Sequence, residues 1–466
     1  MALEYMKIHP KDSVAIAIGP IAQGTRLSID DAIFSAVCDV PAGHKIAIHA
    51  IAQGATIRKY GHVIGHATQP IVQGEWVHAQ NMATNLSDAA EYTYDPVPQA
   101  NPIAPANAVP VFLGYKRADG RVGTRNEIWI INTVGCVNTS AERIARIANE
   151  RFRGEGFDGV FAFSHPYGCS QLGGDLEKTQ ALLRGLMQNP NAGGVLVLGL
   201  GCENNQLKQF LDQTHSLNDR VRSFNAQDVP DEIEEGVAKV GELFELMKND
   251  KREPLPISAL TLGMKCGGSD GFSGITANPL IGCITDRLTG YGGRVILTEV
   301  PEMFGAEQQL MNRAVNEGVY RDIIRLIENF KAYFTAHNQP VYENPSPGNK
   351  SGGITTLEEK SLGAIQKGGV ASVHEVLAYG QPIATPHGMA LLNAPGNDGV
   401  SGTAMTASGA TMILFTTGRG TPLGFPVPTV KISTNTALKS NKPNWIDFDA
   451  GAVVDGRTTM ENLTQE

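Results

Sequence analysis

Glu127-Ile128-Trp129-Ile130-Ile131-Asn132-Thr133-Val134-Gly135-Cys136-Val137-Asn138 runs an apolar strand into a glycine turn, and residues 140–153 after it carry apolar side chains at helical spacing. The pattern repeats twice: 159–163 reads as a strand before a helix over 176–188, and 195–199 as a strand before a helix over 204–214. Strand and helix in alternation build parallel β-α-β units. Residues 230–250 read as a charged amphipathic helix and 251–256 as a joint. Beyond it, strands near 259–263, 294–297 and 411–415 and helices near 278–289, 307–317 and 320–337 predict a second α/β region with a parallel, Rossmann-like sheet.

Upstream the period changes. Between residues 13 and 78, short β-branched or alternating runs are broken by Gly24, Pro41-Ala42-Gly43-His44, Gly54, Gly61, Gly65 and Gly74, which predicts a small all-β module. Pro96, Pro98, Pro102, Pro105 and Pro110 then interrupt a stretch of small polar residues, favouring an extended linker. The expected organisation is an all-β domain over 1–94, a linker over 95–113, an α/β domain over 114–252 and a C-terminal α/β domain over 253–466.

With 42% hydrophobic and 18% charged residues, the 466-residue chain has an ordinary globular balance, which excludes wholesale disorder. Thirty-eight basic against 47 acidic residues leave a net charge of −9, without the excess that a phosphate-backbone binder needs, so nucleic acid is not an expected partner. No apolar run approaches a membrane span and no signal-like N-terminus is present, so a cytoplasmic chain without a membrane partner is expected. Six cysteines in so long a chain are too sparse for a disulfide framework and read as reduced thiols.

Three of them share one context. Gly135-Cys136, Gly168-Cys169 and Gly201-Cys202 each follow an expected strand and precede an expected helix, 33 residues apart (136 to 169, 169 to 202), while Cys266 follows the strand near 259–263. In an open parallel sheet such turns emerge at one edge, where ligands bind. The four thiols are therefore expected to face one crevice as ligands of a transition metal or cluster, since thiolate selects iron and zinc and a helix N-terminus favours the anion. Cys38 and Cys283 lack that placement and read as small buried hydrophobes. The turns His165-Pro166-Tyr167-Gly168-Cys169-Ser170-Gln171, Gly201-Cys202-Glu203-Asn204-Asn205 and Lys265-Cys266-Gly267-Gly268-Ser269-Asp270-Gly271 offer N–H groups and hydroxyls to an anion. His165, sharing a loop with Cys169, is a candidate ligand or acid/base group.

These blocks, with Gly120-Arg121-Val122-Gly123-Thr124-Arg125-Asn126-Glu127, the segments 298–307 and 344–356, and Thr417-Gly418-Arg419-Gly420-Thr421-Pro422, resemble the altronate and galactarate dehydratase family over nearly the whole chain. The N-terminal module is similar to that family's β-clip (SAF) domain through Gly43-His44-Lys45, Lys59-Tyr60-Gly61 and Val77-His78. The resemblance implies dehydration of D-altronate to 2-dehydro-3-deoxy-D-gluconate in hexuronate catabolism, with Fe2+ as cofactor, Mn2+ as a substitute, and a homodimer as the assembly.

Eliminating water across C2 and C3 of an aldonate removes a weakly acidic proton beside a carboxylate, so a Lewis-acidic metal must stabilise the developing negative charge. A base must take the C2 proton and an acid must assist the C3 hydroxyl. The expected metal ligands are Cys136, Cys169, Cys202 and Cys266, with the iron either mononuclear or part of an iron–sulfur cluster. The acid/base candidates are His165, His78, Lys59 and Tyr60. Arg125, Lys265, Ser269, Asp270 and Arg419 are the candidates for holding the small-molecule substrate. Competing readings are dehydration of galactarate, a lyase acting on a sulfonated hydroxy acid, and a non-catalytic sugar-acid sensor. A dinucleotide enzyme is disfavoured, because the turn Val134-Gly135-Cys136-Val137-Asn138 lacks Gly-x-Gly-x-x-Gly.

Overall fold

The computed structural model describes residues 4–30, 32–87, 91–98, 104–214 and 219–466. The N-terminal module is built of strands, as expected. Tyr5–Met6, Val14–Ala17, Lys45–Ala47 and Trp76–Val77 form one antiparallel sheet, Thr56–Lys59, His62–Ala67 and Met82–Ala83 a second, and Arg26–Ile29 with Ala32–Ser35 a hairpin. One turn recurs three times, Ile21-Ala22-Gln23-Gly24, Ile51-Ala52-Gln53-Gly54 and Ile71-Val72-Gln73-Gly74. Each isoleucine is buried, and each glycine takes a left-handed φ (85°, 78° and 86°) that other residues adopt at a cost.

Of the proline-bearing segment, residues 99–103 lie outside the described residues. A strand, Val111–Lys116, starts within the 95–113 span and pairs antiparallel with Glu253–Pro256 and Val122–Gly123, so the chain on either side of the middle domain meets in one small sheet.

The middle domain is a four-stranded parallel sheet in the order Val160–Phe163, Glu127–Asn132, Ala192–Gly199, Val221–Asn225. Glu127–Asn132 is buried throughout, because both faces are covered. Ile128 and Ile130 pack on the helices Asn138–Arg151 and Glu232–Met247, whereas Trp129 and Ile131 pack on Gly173–Met187 and on Met405 and Phe415 of the C-terminal domain.

Seven parallel strands form the C-terminal sheet, in the order Val373–Leu377, Gly388–Leu392, Arg294–Leu297, Thr261–Cys266, Met412–Thr417, Thr429–Ser433, Phe448–Asp449. The strand order reverses beside Thr261–Cys266, whose next strand in sequence lies on one side and Met412–Thr417 on the other. The carboxyl ends of those two strands border the crevice where open α/β sheets bind ligands.

This topology corrects one expectation. Cys136, Cys169 and Cys202 follow neighbouring strands of the four-stranded sheet, but Cys266 ends a strand of the other sheet, so the four thiols do not share a rim. Strand-turn-helix periodicity is the same in both domains and does not say which sheet a strand joins.

Candidate active site

At the end of Thr261–Cys266, charged side chains are packed largely out of water. Lys265 bonds Glu299 and, at 2.6 Å, Asp398. Cys266 Sγ lies 2.7 Å from Lys367 Nζ and 3.3 Å from Glu302 Oε2, and Lys360 lies 2.9 Å from Glu302. All but Asp398 are buried. Burial pushes the Cys266 thiol up to about 12, with Glu299 adding to it. Burial alone would also raise Glu302, but Lys360, Lys367 and Lys265 outweigh it and hold that carboxyl at about 2. Glu299 is presented from a left-handed backbone, φ 69°, a conformation of the kind stored at functional sites. A cleft opens over this network, lined by Gly267, Gly268, Asn349, Lys360, Asp398 and Arg419.

Cys266, Glu299 and Glu302 bring ligand atoms within 4.8 Å of one another, the spacing of a metal site. The donor chemistry does not fit one. Lys265, Lys360 and Lys367 already balance Glu299, Glu302 and Asp398, and the ammonium groups occupy the oxygens and the sulfur that a cation would need.

The N-terminal module docks beside this network along residues 349–360. Lys45 Nζ donates at 2.8 Å each to Gly353 O, Thr355 Oγ1 and Glu359 Oε2, and Lys59 Nζ donates at 2.9 Å to Glu359 Oε1. Two buried ammonium groups thus share one carboxylate. Burial makes Lys45 the readier to lose its proton, lowering it to about 8 against the pull of Glu359. For Lys59, burial is outweighed by Glu359 and Tyr60, which leave it raised. Glu359 is held at about 2, the two lysines overcoming its burial. Three glycines let the backbones approach: a Cβ on Gly271 would stand 1.9 Å, and on Gly353 2.3 Å, from the carbonyl oxygen of Gly43.

His78 closes this seam. Its Nδ1 lies 2.8 Å from Thr355 Oγ1, its ring stacks on Trp76, and His44 meets it edge-on. Burial, then the charges of Lys45 and His44, lower it to about 4, so the imidazole is neutral at physiological pH. Lys45, Thr355 and His78 form a continuous hydrogen-bonded chain. His44 is locked instead, Nδ1 accepting from Trp76 Nε1 and Nε2 facing Ser351 O.

Several expected residues have other work. His165 accepts from Tyr167 N at Nδ1 and meets Asn132 O at Nε2, so both ring nitrogens brace a turn and neither serves as an acid or base. Lys265 is a buried ion-pair member, so it is not a free substrate cation. Asp270 is buried and accepts from Phe272 N, Ser273, Thr434 and Asn435, which makes it a structural node. Ser269 is buried beside it, its carbonyl taken by Asn349. At the seam Lys59 is buried and Tyr60 half-buried, the phenol raised chiefly by desolvation. Arg125 is exposed near Asp158 in a different cleft, with Phe425 and Trp445. Arg419 alone among the expected cations is exposed at the Cys266 cleft, donating at 3.1 Å to Ser351 Oγ. Lys45, Glu359, Lys360 and Lys367 were missed. For Lys45 the signal was a lysine in an otherwise apolar strand run.

Cys136, Cys169 and Cys202 are exposed at the rim of the middle sheet. Among the described residues no ammonium group bonds them, and as soft donors they fit iron. Among the described residues no helix is long and apolar enough to cross a membrane.

Three family descriptions cover the chain in order: the altronate/galactarate dehydratase SAF domain over residues 3–85, the D-galactarate dehydratase/altronate hydrolase second domain over 114–248, and the D-galactarate/altronate dehydratase C-terminal domain over 257–466. Altronate dehydratase of Escherichia coli K12 is 50% identical over 466 residues, covering 100% of this chain and 93% of the relative. That of Bacillus subtilis 168 is 50% identical over 464 residues, with 99% and 93% covered. Galactarate dehydratase (L-threo-forming) of Escherichia coli K12 is 34% identical over 480 positions, with 98% and 90% covered. Matched from the β module to the last domain, this chain belongs to the altronate and galactarate dehydratase family.

Proposed function

We propose that the chain is a hydro-lyase that dehydrates D-altronate to 2-dehydro-3-deoxy-D-gluconate by removing the C2 proton and expelling the C3 hydroxyl. The observation that carries the chemistry is the chain Lys45, Thr355, His78: the imidazole is neutral at physiological pH and free to accept a proton, and behind it stands a lysine lowered to about 8, near the operating pH that general-base work needs. His78 takes the C2 proton and exchanges it with Lys45 through the Thr355 hydroxyl. Arg419, exposed at the cleft, grips the substrate carboxylate, for which its planar fork is suited. Iron supplies Lewis-acid stabilisation of the enediolate when bound, and Cys136, Cys169 and Cys202 would hold it. The assembly is a cytoplasmic homodimer.

The test is turnover of D-altronate, galactarate and sulfolactate by protein loaded with iron under anaerobic conditions, followed as 2-keto acid by NMR. The expected result is keto acid from altronate foremost, carrying deuterium at C3 when formed in D2O. No keto acid from altronate overturns the reading, and faster turnover of galactarate or sulfolactate replaces the substrate.

A further inference from the structure

We infer that Cys136, Cys169 and Cys202 bind an iron–sulfur cluster through three thiolates, and that Cys266 is not one of its ligands. The inference deepens the proposed iron requirement and rests on it. Unpaired cysteine is among the most buried of residues, and Cys266 follows that rule, yet these three are all exposed. Each lies in the turn after one of three adjacent parallel strands, Cys169 after Val160–Phe163, Cys136 after Glu127–Asn132 and Cys202 after Ala192–Gly199. Neighbouring strands lie about 4.8 Å apart, so the outer two are separated by roughly 10 Å.

The turns are joined into one unit. Gly135 N donates to Tyr167 O at 2.8 Å, Asn205 N to Gly168 O at 3.1 Å, and Ser170 N to Asn204 Oδ1 at 2.6 Å. Asn138 Nδ2 reaches His165 O and Asn205 Nδ2 reaches Thr133 O. A Cβ on Gly168 would stand 2.1 Å from Thr133 O, and one on Gly135 2.5 Å from His165 O, so only glycine lets these backbones pass. At the same rim, two buried acceptors, Asn132 Oδ1 and Asn225 Oδ1, have no hydrogen-bond partner among the described residues.

Spacing separates a cluster from a single ion. Thiolates on one tetrahedral metal at about 2.3 Å bring their sulfurs to about 3.8 Å from one another. Turns carried on strands spread over roughly 10 Å suit a cluster, whose several irons reach a wider span than one ion does.

The test is protein purified anaerobically, or reconstituted with iron and sulfide, assayed for iron, acid-labile sulfide, visible absorption, and EPR after reduction. The expected result is iron and sulfide in equal amounts. Cys136→Ser, Cys169→Ser and Cys202→Ser each reduce cluster content at least tenfold with the melting temperature kept, while Cys266→Ser and Cys283→Ser retain it. Iron without sulfide, zinc in its place, or loss of the cluster in Cys266→Ser overturns the inference. Altronate turnover by sulfide-free protein overturns it while leaving the proposed function. A cluster-loaded protein inert toward altronate does the reverse.

Discussion

Replacing Glu359 by glutamine removes the one carboxylate that two buried ammonium groups share and keeps its shape. Two routes give the cost. Glu359 is held at about 2 against an ordinary 4.5, and at about 1.4 kcal/mol per unit the ionised form contributes about 3 kcal/mol. Breaking a buried pair by removing one partner costs about 3–5 kcal/mol. For a cooperative unit the size of the C-terminal domain, about 2–4 °C per kcal/mol gives a melting temperature lower by roughly 6–20 °C. Lys45→Met, which leaves Lys59 and Glu359 as a one-to-one pair, falls well short of that. Because the carboxyl is depressed in the folded state, its contribution is fully present above pH 4.5 and fades as pH falls toward 2. Urea unfolding of both proteins at a series of pH values reads this directly: the gap between wild type and Glu359→Gln is constant above pH 5 and narrows below 4.5. A loss under 2 °C at pH 7, or a gap that does not narrow in acid, refutes the shared-carboxylate account.

His78→Gln lowers kcat by about 10²–10⁴ with the melting temperature unchanged, the range of a lost general base. In the wild type, the acid limb of kcat/KM falls near pH 4 rather than 6.5, since the base is lost only as pH drops through the lowered value of His78. Arg419→Gln raises KM for altronate about 10–100-fold with kcat little changed, as expected for a charged hydrogen bond of about 1.5–3 kcal/mol at an exposed residue. Gly353→Ala places a Cβ 2.3 Å from Gly43 O at φ 104°, so it undocks the β module, read as faster limited proteolysis of the linker and loss of turnover together. Retained turnover in that variant would mean that His78 acts without the docked seam.

Strand-helix alternation and the β module were readable because each rests on residues within one or two turns of one another. So was the equivalence of Cys136, Cys169 and Cys202, which the strand-glycine-cysteine order expresses locally. The company of each charged side chain was not. Lys45 meets Glu359 across 314 positions and Lys265 meets Asp398 across 133, and no periodicity encodes such distances. His165 looked catalytic by sharing a loop with Cys169, yet its ring nitrogens are spent on the backbone of that loop.

By itself, the chain's order of apolar, glycine and polar residues determined which elements form, since local backbone preference and side-chain period need no distant partner. Tertiary structure alone decided that Cys266 belongs to a second sheet, that Lys265 is neutralised, and that Lys45 is left with half a carboxylate. A buried charge is governed by what folds against it, through desolvation and Coulomb attraction that act across space without regard to sequence separation.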